Sequence, residues 1–235
     1  MLRNNIVAVA LTLGIALTWL RINNFFAHKG WISSPISRKI IHIGTGPIFV
    51  LCWLLFNDSE ISPYLAAIVP QGITLQFALV GLGVIRDPSA VDAMSRTGDR
   101  REILHGPLFY GLVFVILTIV FWRRSPIGIV ALMTLCGGDG LADVVGKRIT
   151  SMKLPWSTRK SLAGSLSMLI GSFLLAVLIL WIFVCQGYLG APITDYLYPV
   201  AMIAIASTLV ESLPFKDVDN ITVPIVSVLL GLLFF

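Results

Sequence analysis

Apolar residues in this chain come in blocks rather than in alternation. Eight runs, at about 5–22, 40–56, 63–85, 104–122, 126–145, 162–185, 195–210 and 220–235, are apolar nearly all round. About 20 such residues cross a bilayer as a helix. In lipid only helices and closed barrels satisfy their own backbone, and barrel strands are shorter and alternate. The pattern predicts an all-α, polytopic integral membrane protein of about eight transmembrane helices, or seven if the short last run does not cross. It predicts one transmembrane domain over 1–235, without an internal repeat, linker or soluble appendage.

Composition sharpens this. Of 235 residues, 57% are hydrophobic and 12% charged, and mean hydropathy is +0.90. A soluble domain carries roughly twice that charge. Cys52, Cys136 and Cys185 form no CxxC pair and read as small core residues. No small-x-small cleavage site follows the apolar stretch from Ile6 to Leu20 before Arg21, so a first membrane helix is expected rather than a removed signal, with no transit segment ahead of it.

The net charge of +5 is a topology signal and implies no nucleic-acid partner. All but three of the 17 lysines and arginines fall in alternate connections: Arg21, Lys29, Arg38, Lys39; Arg86, Arg96, Arg100, Arg101; Lys147, Arg148, Lys153, Arg159, Lys160; and Lys216. The exceptions are Arg3, Arg123 and Arg124. The rich side is expected to be cytoplasmic.

The polar clusters gather on that side. Arg38, Lys39 and His42 open the second run, and Arg100, Arg101, Glu102 and His105 the fourth. Asp139 and Asp143 lie near the inner end of the fifth, and Arg159, Lys160 and Ser161 open the sixth. Glu211, Asp217, Asp219 and Asn220 bracket the last inner turn. Five segments thus deliver polar groups to one face, as a site open to both water and lipid requires.

The segment CGGDGLADVVGKR, residues 136–148, poses the sharpest question. Asp139 and Asp143 are four apart and share a helix face. Like charges there repel unless a cation or proton intervenes, and an aspartate at mid-membrane costs about 2.5–3.5 kcal/mol. Paired carboxylates facing a polar cavity suit a hard divalent ion such as Mg²⁺. Gly137, Gly138, Gly140 and Gly146 allow close approach of a backbone or a phosphate. The bland alternative is acids paired with nearby Arg or Lys and glycines that pack helices. A phosphate-binding P-loop is excluded, because five residues separate Gly140 from Gly146 and Arg148 stands where Ser or Thr is needed.

The next loop, KRITSMKLPWSTRKSLAGS, carries five basic residues, and no acid occurs between Asp143 and Asp195. Orientation bias alone accounts for such a loop, but its adjacency to the acids points further. Metal with Lys or Arg is the recurring equipment for phosphoryl groups. Lys160, Ser161 and Gly164 sit at a helix start, where free N–H groups welcome anions.

These segments, with VESLP, DNITVP, SRKIIHIGTG and REILHGPLFYGLV, closely resemble the phytol kinase branch of the polyprenol kinase family. The resemblance runs in order from about residue 36 to the end of the chain. It implies a membrane kinase that uses CTP, or a related nucleotide, to phosphorylate a long-chain isoprenoid alcohol; for phytol the products would be phytyl monophosphate and CDP, feeding tocopherol and related prenyl-lipid synthesis. It also implies a cell inner or thylakoid membrane of cyanobacterial type. The chain departs from the family at Ala163, where many members carry Glu, and at Val218, which separates Asp217 from Asp219 where many have consecutive acids. The wider fold is similar to that of the CTP-dependent phosphatidate cytidylyltransferases.

In the expected mechanism, Asp139 and Asp143 hold Mg²⁺ against the nucleotide phosphates. Lys147, Arg159 and Lys160 neutralise the transferred group and the departing CDP, with Ser161 and Gly164 alongside. Asp219 or Glu211 accepts the alcohol proton or holds a second metal. Lys39, His42 and Asn220 are further phosphate or nucleotide contacts, although Lys39 and Arg38 also read as snorkelling anchors, His42 as a packing histidine and Asn220 as a helix cap. His105 and Glu102 read as helix-start structure, and Trp122, Trp156 and Trp181 as interfacial or packing aromatics. Rival readings are a farnesol, geranylgeraniol or dolichol-type kinase, a lipid cytidylyltransferase, an ion-coupled transporter and a non-catalytic assembly subunit. Oligomeric state is open.

Overall fold

A computed structural model describes residues 4–95, 97–214 and 218–235. Arg3, Arg96, Lys216 and Asp217, used above, lie outside the described residues. Among the described residues, seven helices are long and apolar enough to cross a membrane: Asn5–His28, Pro35–Leu55, Ser62–Leu82, Arg100–Val120, Pro126–Arg148, Leu162–Cys185 and Ile193–Glu211. The apolar helix Asp219–Phe234 is 16 residues long. The fold is therefore the all-α polytopic one, and each of the eight apolar runs coincides with a helix. The chain divides into two compact units, Met1–Ile41 with Cys52–Ile119 and His42–Leu51 with Val120–Phe235.

The first unit holds α1 (Asn5–His28), the start of α2 (Ser34–Cys52), α3 (Ser62–Leu82), α4 (Pro88–Met94) and α5 (Gly106–Val120). Asn4 caps α1 by accepting from the Ile6 amide at 2.8 Å. Buried Asn5 donates to Asn57, Ser59 and Ser62 at 2.9–3.0 Å and ties α1 to the start of α3. α3 stops at Gly83, whose φ of +82° suits glycine. α3 and α5 approach where Gly111 faces Thr74. Arg38 donates to the Ser95 carbonyl and Glu102 accepts from Thr97, so both are engaged within this unit.

The second unit is built around the span Pro126–Arg148, the most buried of the seven. It comprises α6 (Pro126–Met133), a π turn (Thr134–Asp139) and α7 (Gly140–Arg148). Ser125 caps α6, Pro126 takes the position whose N–H has no partner, and Ile127 to Met133 are all buried. Such a helix, apolar all round, belongs at the centre of its unit. α8 (Leu162–Cys185), α9 (Ile193–Glu211) and α10 (Asp219–Phe234) pack on it and on one another.

α8 is two-faced despite being apolar on both sides. Leu162, Leu166, Ile170, Leu174, Leu178 and Trp181 form an exposed stripe at helical spacing, while Gly164, Met168, Gly171, Ser172, Ala176 and Ile179 are buried. Close approach on the buried side needs glycine: a Cβ on Gly137 would lie 2.6 Å from Leu175 Cδ2, and one on Gly138 would overlap the Ser172 hydroxyl. The glycines of the CGGDG segment therefore bring helices together.

The connection between α7 and α8 forms a short antiparallel hairpin, β1 (Lys153–Leu154) with β2 (Ser157–Ser161). Arg123, an exception in the charge pattern, is fully buried, its guanidinium carbon 4.5 Å from the Tyr188 ring centre. It is a packed cation rather than a solvated loop charge. Cys52 and Cys136 are buried as expected; Cys185, the last residue of α8, is exposed, which corrects the core reading.

Candidate active site

Three acids from three elements meet in the second unit. Asp139 ends the π turn, Glu211 ends α9 and Asp219 opens α10. One carboxylate oxygen from each lies within 4.8 Å of the others. The end of α9 and the start of α10 thus bring Glu211 and Asp219 to one level. An acid in the first turn of α10 is also favoured by the helix dipole. The Glu211 side chain is only 4% exposed, and that of Asp219 is 22% exposed.

Lys160, in β2, reaches into this group. Its ammonium pairs with Glu211 and lies 3.2 Å from Asp219 Oδ2. Burial disfavours the charge on Lys160, but Glu211, Asp219 and Asp139 outweigh burial and raise its pKa above the ordinary lysine value. The hairpin that carries Lys160 is tethered beside Glu211: the Trp156 indole N–H donates to both the carbonyl and the hydroxyl of Ser212 at 3.1 Å. One lysine among three carboxylates leaves this group of four net acidic.

His42, in the α2 segment of this unit, brings a fifth side chain. Its Nε2 lies 3.4 Å from Asp139 Oδ2 and 3.3 Å from the Leu135 carbonyl. Asp143 sits one turn beyond Asp139, and its carboxylate is 2.8 Å from Lys147 Nζ, whose side chain is 75% exposed. The structure thus gathers Asp139 with Glu211, Asp219 and Lys160, whereas Asp143 and Lys147 form an i,i+4 ion pair at the edge.

The other sequence candidates are placed as follows. Ser161 caps α8, accepting from the Gly164 amide at 3.3 Å, and Gly164 is buried against the Ala142 carbonyl and Gly146. Arg159 is exposed in β2, and its carbonyl accepts from Lys153. Asn220 is half-buried in the first turn of α10. Lys39 is half-buried on α2 and belongs to the first unit.

Sequence reasoning missed the π turn and the Trp156 tether, while Glu211 and Asp219 stood among its candidate metal ligands beside Asp139 and Asp143. The i,i+4 spacing of Asp143 and Lys147 was a usable signal for their ion pair. A tryptophan inside a basic loop, rather than at the end of an apolar run, was the signal for a tether.

The chain is 39% identical over 236 residues to the probable phytol kinase, chloroplastic, of Zea mays, an alignment covering all of this chain and 78% of that protein. It is 37% identical over 236 residues to phytol kinase 1, chloroplastic, of Arabidopsis thaliana, covering all of this chain and 78% of that protein. Farnesol kinase, chloroplastic, of Arabidopsis thaliana is 39% identical over 237 residues, covering 99% of this chain and 76% of that protein. No family model matches the chain, and no solved structure matches it. With such identity sustained along the chain, and seven membrane-length apolar helices among the described residues, the chain belongs to the phytol kinase branch of the polyprenol kinase family and is a membrane kinase.

Proposed function

We propose that this chain transfers the γ-phosphoryl group of CTP to the hydroxyl of a long-chain isoprenoid alcohol, phytol first, giving phytyl monophosphate and CDP for tocopherol and related prenyl-lipid synthesis. The site would face the cytoplasmic side of a cell inner or thylakoid membrane of cyanobacterial type. The observation that carries the reading is the meeting, at one level of the second unit, of Asp139 from the span Pro126–Arg148, Glu211 at the end of α9, Asp219 at the start of α10 and Lys160 from the hairpin. A prenyl alcohol keeps its tail in lipid while a nucleotide stays in water, so their reacting atoms meet only at such a level.

The donor set fits a hard divalent ion. Its ligands are all carboxylates, close together, with one lysine to set against three acids. Asp139, Glu211 and Asp219 would hold Mg²⁺, which when bound supplies charge neutralisation at the phosphate oxygens. Lys160 holds Glu211 and Asp219 in place and offers its charge to the transferred group. The alcohol oxygen forms the new P–O bond, the β–γ bridge breaks and CDP leaves. The hydroxyl proton passes to Asp219, the more exposed of the two acids on Lys160. Phosphoryl transfer needs chiefly positioning and charge stabilisation, so a weak base suffices. Arg159 and Lys147 stand at the aqueous edge as further contacts for the nucleotide.

A shorter alcohol is the second reading, favoured by the likeness to a farnesol kinase. The test is purified protein in detergent with Mg²⁺, a panel of nucleotides and a panel of prenyl alcohols, analysed by mass spectrometry. Phytyl monophosphate with stoichiometric CDP is expected. Pyrophosphate with a CMP-bearing lipid would instead identify a cytidylyltransferase, and solute uptake without nucleotide turnover a transporter.

A further inference from the structure

We infer that His42 is a positioning residue: its Nε2–H, anchored on the Leu135 carbonyl, orients the Asp139 carboxylate within the acidic cluster. This rests on the metal-binding reading above and adds to it the group that aims one ligand. Nε2 stands 3.3 Å from Leu135 O and 3.4 Å from Asp139 Oδ2. A carbonyl oxygen only accepts, so a hydrogen bond there places a proton on Nε2, whatever Nδ1 carries. That N–H is then shared with the carboxylate four residues further on. Leu135 lies in the π turn, where carbonyl directions leave the α-helical ladder and side chains can reach them.

The approach of the two segments is built in. A Cβ on Gly140 would overlap Ile43 and lie 3.2 Å from His42 Cδ2. One turn along α2, a Cβ on Gly46 would overlap the Cys136 thiol. Glycine on each side thus lets α2 press against the π turn and α7 until the imidazole meets Asp139. Carboxylates that bind metals are commonly held by such an outer hydrogen bond, whose loss costs about 10- to 100-fold in metal affinity.

The experiment is a Mn²⁺ titration followed by electron paramagnetic resonance, on the purified full chain in detergent, without nucleotide or alcohol. His42→Leu keeps bulk and removes the donor; His42→Gln restores an N–H near the Nε2 position. Leu is expected to weaken Mn²⁺ binding about 10- to 100-fold and Gln to recover most of the loss. Asp139→Asn is the control and is expected to lose the site. Leu binding like wild type, or Leu and Gln weakening it equally, while Asp139→Asn abolishes binding, overturns the role of His42 and leaves the cluster standing. Wild-type binding by Asp139→Asn removes the cluster reading and the inference with it. If circular dichroism shows His42→Leu unfolded, His42→Asn, whose donor is set back along the side chain, takes its place with the same outcomes.

Discussion

The ammonium of Lys160 lies 3.2 Å from Asp219 Oδ2, joining the hairpin between α7 and α8 to the first turn of α10 across 59 residues of sequence. The same ammonium pairs with Glu211 at the end of α9. A single cation therefore fixes the spacing of two acids contributed by different helices.

Removing that cation leaves Glu211 and Asp219 facing each other without it. Lys160→Met is expected to lower kcat/KM by on the order of 10²-fold or more, while Lys160→Arg, which keeps the charge in a wider group, recovers part of the loss. Steady-state kinetics with CTP and phytol measure both.

The raised pKa of Lys160 has a thermodynamic sign. A group whose pKa is higher folded than unfolded stabilises the fold fully below its unfolded value, about 10.5 for lysine, and loses that contribution as pH rises through the folded value. Thermal unfolding in detergent from neutral to alkaline pH should therefore fall more steeply near and above 10.5 in wild type than in Lys160→Met. At neutral pH the contribution is fully present.

Asp139 and Asp143 should separate under mutation. Asp139→Asn removes a member of the cluster and is expected to cost 10²-fold or more in kcat, on the order expected when a charge-stabilising group is lost. Asp143→Asn breaks an exposed i,i+4 pair worth about 0.3–0.5 kcal/mol and is expected to cost only a few-fold. Parallel kinetics on the two variants at saturating Mg²⁺ decide between them, and equal losses would count against the arrangement described.

Gly138 and Gly14 predict opposite stability changes. A Cβ on Gly138 overlaps the Ser172 hydroxyl, so Gly138→Ala is expected to destabilise by about 1–3 kcal/mol. Gly14 lies inside α1 with no atom within 4 Å of such a Cβ, so Gly14→Ala is expected to stabilise by about 0.4–1 kcal/mol. Unfolding in mixed micelles with increasing denaturing detergent measures both.

The helices were legible because lipid imposes a local rule: every apolar run must satisfy its own backbone, so run length alone marks each span. The members of the site were legible one by one, since acids beside apolar runs are costly enough to need a reason. Their grouping was not. Asp139 and Asp143 are neighbours by helical periodicity, but their partners are set by tertiary packing: α9 ends and α10 begins at the level of the π turn, while Lys147, one turn on, takes Asp143. Nor does periodicity reveal the π turn, which the glycines beside Asp139 accommodate against α8. Trp156 read as an interfacial aromatic because its acceptor, Ser212, is 56 residues away.

The most direct test of the central claim is an anomalous-difference map from crystals of the protein grown with Mn²⁺. A single strong peak within coordinating distance of carboxylate oxygens from Asp139, Glu211 and Asp219 is the predicted result. A peak bound by Asp143 instead, or a cluster that stays metal-free beside Lys160 at saturating Mn²⁺, would contradict the account.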